Sequence, residues 1–115
     1  MVREPSLTSI DVDGWEIDDA EVAHAESKET YKIPSLNDRL SLNAGDLAKI
    51  RFYIRTEDDD GEITDHGERM WVKILSKSGN WYFGELDNQP SCTSGISPGL
   101  EVSFQPRHVI SIHRA

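Results

Sequence analysis

From Leu47 onward the apolar positions recur at every second residue. Ile50, Phe52 and Ile54 alternate with Lys49, Arg51, Tyr53 and Arg55, the pattern of a strand with one buried face. Met70, Val72 and Ile74 alternate with Trp71, Lys73 and Leu75 in the same way, and Ser78-Gly79 then turns the chain into residues 80–86. Together these segments predict a β-hairpin. Ile96-Ser97-Pro98-Gly99 is a further turn signal, because proline presets φ at the second position of a turn and glycine accepts a positive φ at the third. Val102 and Phe104 begin the next strand, Pro106 interrupts it, and Val109-Ile110-Ser111-Ile112 is expected to form a last one.

The first dozen residues carry neither period and predict a loose arm, or an edge strand around Ile10 and Val12, ending at Asp13-Gly14. Asp18 followed by Glu21 resembles a capping box, and the alanine-rich residues 20–28 predict a short helix. Its apolar face is small, so it can only lie on something else. Pro34 stops that helix, and Ser35 can cap one further turn over residues 35–40. Four or five short strands joined by hairpins predict a mainly β fold, a small antiparallel SH3-like barrel or roll with a short N-terminal helix. An α+β roll is the close alternative. The expected organisation is an arm over residues 1–17 and one β-rich domain over 18–115, with an acidic loop at 57–68. Ile50, Phe52, Ile54, Met70, Val72, Ile74, Phe83, Leu86, Val102, Phe104 and Ile110 form the expected core.

Charge changes this picture more than composition does. The 115 residues carry a net charge of −9, but the sign is segregated. Residues 1–30 hold nine acids against Arg3 and Lys28, residues 57–68 hold seven acids and no base, and the rest of the chain holds five acids against ten bases. A mildly basic body thus carries two acidic appendages. The start of the chain lacks a secretory apolar run, no later segment approaches a membrane span, and Cys92 is a lone thiol. These features predict a cytoplasmic protein without membrane contact, with the monomer favoured.

Residues 68–72 (ERMWV), 84–90 (GELDNQP), 99–104 (GLEVSF) and 108–110 (HVI), with LNAGDLAKI at 42–50 upstream, resemble a run found in uncharacterised bacterial domain-of-unknown-function proteins, some of them grouped with toxin-immunity proteins. The resemblance covers roughly the last two-thirds of the chain. It implies a β-rich fold and a protein-binding role, and it carries no established active site.

Candidate chemistry is sparse. Aligning Gly61 with the sixth position of a calcium loop would put Thr56 first and Gly67 last, where that loop needs carboxylates. His24, His66, His108 and His113 have no zinc-ligand spacing, and no glycine-rich phosphate loop occurs. A Cys92 nucleophile with His108 as its base would lack a helix start or adjacent base to activate the thiol. No catalytic residue, metal or cofactor is therefore assigned, and an enzyme is not expected. Strand alternation instead places Lys49, Arg51, Tyr53, Arg55, Trp71 and Lys73 on one outer face. Its blander reading is a face covered by the acidic helix near residues 18–29; its sharper reading is a seat for an anionic partner.

Two functions follow. The first is a non-catalytic protein-binding module of immunity type, in which Asp58, Asp59, Asp60 and Glu62 meet a basic partner. The alternative is a nucleic-acid-associated accessory domain using Arg51, Trp71 and Lys73. Another protein is the expected partner, since the net charge disfavours nucleic acid.

Overall fold

The computed structural model describes residues 5–115. The chain forms a helical turn α1 (Ile10–Asp13), strand β1 (Trp15–Ile17), helices α2 (Ala20–Glu26) and α3 (Leu36–Leu40), then strands β2 (Leu47–Glu57), β3 (Ile63–Ser78), β4 (Trp81–Leu86), β5 (Glu101–Phe104) and β6 (Ser111–His113). A 3-10 turn at Pro106–His108 precedes the last strand. The strands make one antiparallel sheet in the order β1-β2-β3-β4-β5, with β6 pairing to β2. This sheet curls into a half-barrel, the mainly β architecture expected from the alternation and compatible with a small SH3-like barrel. Among the described residues no helix is long and apolar enough to cross a membrane.

The β2–β3 hairpin is the spine, paired from Leu47↔Lys73 to Glu57↔Ile63. Strand β2 is long enough for two short strands to share its other edge: β1 pairs through Trp15↔Ile54 and Ile17↔Phe52, and β6 through Leu47↔His113 and Lys49↔Ser111. Between them the Asp18 N–H donates to the Arg51 carbonyl and the Ile110 N–H to the Lys49 carbonyl, each at 2.9 Å. Ala48, Ile50, Phe52 and Ile54 face inward from β2, and Met70, Val72 and Ile74 from β3. Leu86, Val102, Phe104 and Val109 complete one continuous core with them.

Phe83 departs from the expected core. Its neighbour Tyr82 takes the interior position, stacks on Phe104 at 5.3 Å, donates its hydroxyl proton to the Arg39 carbonyl (2.8 Å) and accepts from the Leu42 N–H (3.2 Å). Strand β4 keeps its period of two, with Tyr82, Gly84 and Leu86 inward and Phe83 outward, while the β3–β4 register shifts between Ile74 and Ser76. Gly84 faces inward at the same place. A Cβ there would stand 2.5 Å from the Lys73 carbonyl oxygen and 2.8 Å from Val72 Cγ1, so the two strands can approach only with glycine at this position.

The expected acidic loop at 57–68 shrinks to residues 58–62, because Glu57 and residues 63–68 belong to the β2–β3 ladder. The expected arm is also altered. Residues 1–4 lie outside the described residues, Ile10–Asp13 is a helical turn rather than an edge strand, and Trp15 enters the core against Phe52 at 5.6 Å. Burying a Trp draws this segment onto β2. Helix α2 begins one residue later than the capping-box reading implies. Asp19 Oδ1 accepts from the N–H groups of Glu21 and Val22, while the backbone of Asp18 is committed to β2. Ser35 caps α3 as expected, accepting from the Asp38 N–H at 3.2 Å. The guanidinium of buried Arg39 ties these pieces together through Glu21 Oε2 (2.6 Å), the Pro34 carbonyl (2.9 Å) and the Pro106 carbonyl (3.0 Å).

Candidate functional site

Because alternate residues of β2 and β3 turn inward, their partners share one outward face. Its rungs are Leu47↔Lys73, Lys49↔Trp71, Arg51↔Arg69 and Tyr53↔Gly67. Lys49 Nζ lies 5.1 Å from the Trp71 ring centroid, the Arg51 guanidinium 5.2 Å from that of Tyr53, and the Arg69 guanidinium 5.5 Å from that of Tyr31. Each cation is thus held over an aromatic face. Gly67 makes room for one of them, since a Cβ there would fall 2.9 Å from Arg51 Nη2. The Trp71 indole is half-buried and meets His113 edge-on at 6.5 Å.

The other arginines behave differently. Among the described residues Arg39, Arg55, Arg107 and Arg114 have carboxylate oxygens at 2.6 to 3.8 Å. Lys49, Arg51, Arg69 and Lys73 have no such partner among those residues. The face therefore gathers four cations that make no ion-pair contact among the described residues, with Glu85 in register with Lys73 and Glu16 with Tyr53 as its nearest rungs of opposite charge. Helix α2 does not neutralise it. Its Asp19 and Glu21 are drawn to Arg107 and Arg39 instead. What reaches the face is Tyr31, beyond the helix, where burial pushes its hydroxyl up in pKa and nearby Asp18 adds to the shift. That hydroxyl is shielded from solvent and has no hydrogen-bond partner among the described residues.

The acidic turn lies at the other end of the hairpin. From Lys49 to Glu57 is eight residues of β2, about 27 Å of strand. Asp58 is occupied within the turn: its Oδ1 accepts from the N–H groups of Asp60 (2.9 Å) and Glu62 (2.8 Å). Asp65 is clamped by Arg55 through two hydrogen bonds of 2.7 and 2.9 Å, which hold its carboxyl below the usual range, and Asp11 joins the same guanidinium at 2.7 Å. Glu57, Asp59, Asp60 and Glu62 are exposed and have no cationic partner among the described residues. The sequence-derived site residues thus separate into two groups, Asp58, Asp59, Asp60 and Glu62 at the tip and Arg51, Trp71 and Lys73 towards the base. Residues 56–67 span both strands of the hairpin, with Thr56 opposite Thr64 and Gly67 opposite Tyr53, which is not the winding of a calcium loop.

Cys92 sits beside Glu68, whose oxygens accept from the N–H groups of Ser91 (2.8 Å) and Cys92 (3.0 Å). Burial and the adjacent carboxylate push the Cys92 thiol up to about 11, so it is protonated at neutral pH. His108 is buried, accepts from the Gln105 N–H at its Nδ1 (2.8 Å), and is pushed by burial, and then by Arg107, down to about 4. No hydrogen bond joins Cys92 to His108 among the described residues.

Sequence reasoning missed Arg69, Tyr31 and Lys32. Arg69 lies two residues from Trp71 and shares its face, so alternation could have found it; Tyr31 and Lys32 come from an irregular connection. It also missed an apolar cleft of about 360 Å³ on the outside of β3–β5, lined by Leu75, Phe83 and Val102 among others. No family model matches the chain, and no match to a curated protein or a solved structure was found.

Proposed function

We propose that this protein is a non-catalytic protein-binding module whose working surface is the basic, aromatic outer face of β2 and β3, and that this face receives an acidic segment of a partner protein. The observation that supports the reading is the lack of carboxylate partners for Lys49, Arg51, Arg69 and Lys73 among the described residues, in a chain of net charge −9 where Arg39, Arg55, Arg107 and Arg114 are all paired. Desolvating four cations that are in contact with no carboxylate is unfavourable unless a partner supplies the anions. An acidic protein segment suits the face better than single-stranded nucleic acid. Stacking of bases needs open ring faces, and here cations lie over Trp71, Tyr53 and Tyr31. The overall charge also repels a polyanion at long range.

The test is a calorimetric titration with an oligoglutamate peptide and with a single-stranded oligonucleotide of equal charge, in low and moderate salt. The peptide is expected to bind with salt-dependent affinity and to lose roughly tenfold when Arg51 and Lys73 are both changed to Gln. Tighter binding of the oligonucleotide, with quenching of Trp71 fluorescence, would transfer the face to the nucleic-acid reading. A second reading rests on the four exposed carboxylates of the tip, which suit a basic partner of the kind an immunity-type protein occludes. Oligolysine binding that depends on Asp59, Asp60 and Glu62 but not on Arg51 would favour it.

A further inference from the structure

At one side of the basic face, three parts of the chain enclose a polar cleft of about 260 Å³. Thr30, Tyr31 and Lys32 line it from the segment after α2, Lys49 and Arg69 from the hairpin, and Ser111 from β6. We propose that this cleft is a seat for one phosphate-type oxyanion carrying close to two negative charges. The inference deepens the reading of the face as an acidic-partner site and rests on it only for how the group is delivered, either as a phosphorylated side chain of the partner segment or as the free ion.

Charge count carries the argument first. Three cations converge on the cleft, and no carboxylate is among its lining residues; Asp18 is near enough to raise the Tyr31 pKa but does not line the cleft. A carboxylate would leave two of those charges unanswered, whereas a phosphate monoester brings about −1.5 to −2 at neutral pH, with three acceptor oxygens. Geometry comes second. Lys49 stands opposite Trp71 and Arg69 opposite Arg51, so Lys49 and Arg69 are diagonal neighbours on one face. Each is already held over a ring, Trp71 and Tyr31 respectively, which lowers the ordering cost of binding. Arg69 offers a planar fork that matches two phosphate oxygens, and the lysines supply point charges.

Amide chemical shifts of the isotope-labelled full chain, followed by NMR during titration with inorganic phosphate at constant ionic strength, test the seat. Saturable shifts are expected at Thr30, Tyr31 and Ser111, with acetate giving none at the same concentrations. Arg69→Gln should weaken phosphate binding roughly tenfold, the loss of one charge-assisted pair. Lys32→Gln, at an exposed position, should weaken it several-fold and keeps the test intact if Arg69→Gln disturbs the fold; Lys73→Gln, outside the cleft, should not. Linear shifts, equal binding of acetate, or a phosphate curve unchanged in both cleft variants would overturn the seat. An oligoglutamate peptide with and without one phosphoserine separates the sources. Tighter binding of the phosphopeptide makes the partner the carrier, and equal binding alongside saturable inorganic phosphate makes the free ion the ligand. Phosphate binding with no binding of either peptide would remove the protein-binding reading and leave the seat. Peptide binding through Arg51 and Lys73 with no saturable phosphate shift would remove the seat alone.

Discussion

The two ends of the β2–β3 hairpin follow different rules. Towards the base, every inward position is filled: Ala48 and Val72 are fully buried and Gly84 is pressed against the Lys73 backbone. Towards the tip, from Glu57 across the turn to Asp65, every residue is exposed, so no core specifies which side chains stand there. Packing constrains the base and leaves its outer face free for binding chemistry. The tip is shaped by local hydrogen bonds and ion pairs, which consume Asp58 and Asp65 before any partner can use them. A charged residue in this protein is informative only after its internal obligations are known.

Removing core from the base should give the largest effect. Phe52→Ala is expected to cost about 4 kcal/mol of unfolding free energy, read by chemical denaturation. Gly84→Ala adds a single methyl group, yet it should cost about 3 kcal/mol, since backbone must move to admit it; a change under half that size would mean that the strands have slack. Acid should act on the base through His108. Its folded pKa of about 4 lies below its ordinary 6.5, so its contribution is whole above pH 6.5 and is lost as pH falls towards 4. Roughly 2 kcal/mol should disappear by pH 4.5, with the His108 ring protons unshifted by NMR above about pH 5. At the tip, Asp58→Ala should cost about 1 kcal/mol by releasing two N–H groups of the turn. Changing Asp59, Asp60 and Glu62 to their amides should move stability by less than about 0.5 kcal/mol, or raise it slightly as like charges are removed. A large loss from that triple change would erase the contrast between the ends.

The base was legible in the sequence because half of each strand there is buried, and burial writes itself as a period of two. Phe83 and Leu86 cannot both face inward from one strand, and β4 keeps its period of two from Leu86 through Gly84 to Tyr82. Hydrophobicity favours the phenylalanine; the tyrosine is inside because Arg39 and Leu42 satisfy its hydroxyl. Residues 63–68 looked like loop because 63–65 are exposed and the half-buried positions 66 and 68 are His and Glu, so no apolar alternation marks the strand and its acids dominate the reading. At the candidate site, Arg51, Trp71 and Lys73 were visible through alternation. Tyr31 and Lys32 were not, for they reach the face by tertiary placement of an aperiodic connection, and Trp15 gave no periodic signal in a three-residue strand.

The shared edge of β2 also implies an order of assembly. Strands β2, β3 and β4 follow one another through short turns, whereas β1 meets β2 from about forty residues upstream and β6 meets it from about sixty downstream. Closing those longer loops costs more chain entropy and returns only three rungs each. The meander would therefore nucleate the fold, with β1 and β6 clipping on late and opening first. Amide hydrogens at the centre of β2, at Ile50 and Phe52, would report global unfolding, while those of Trp15–Ile17 and Ser111–His113 would exchange through partial openings. Since β6 also contributes Ser111 to the polar cleft, an anion seated there would slow exchange at one of these clips and leave the other unchanged.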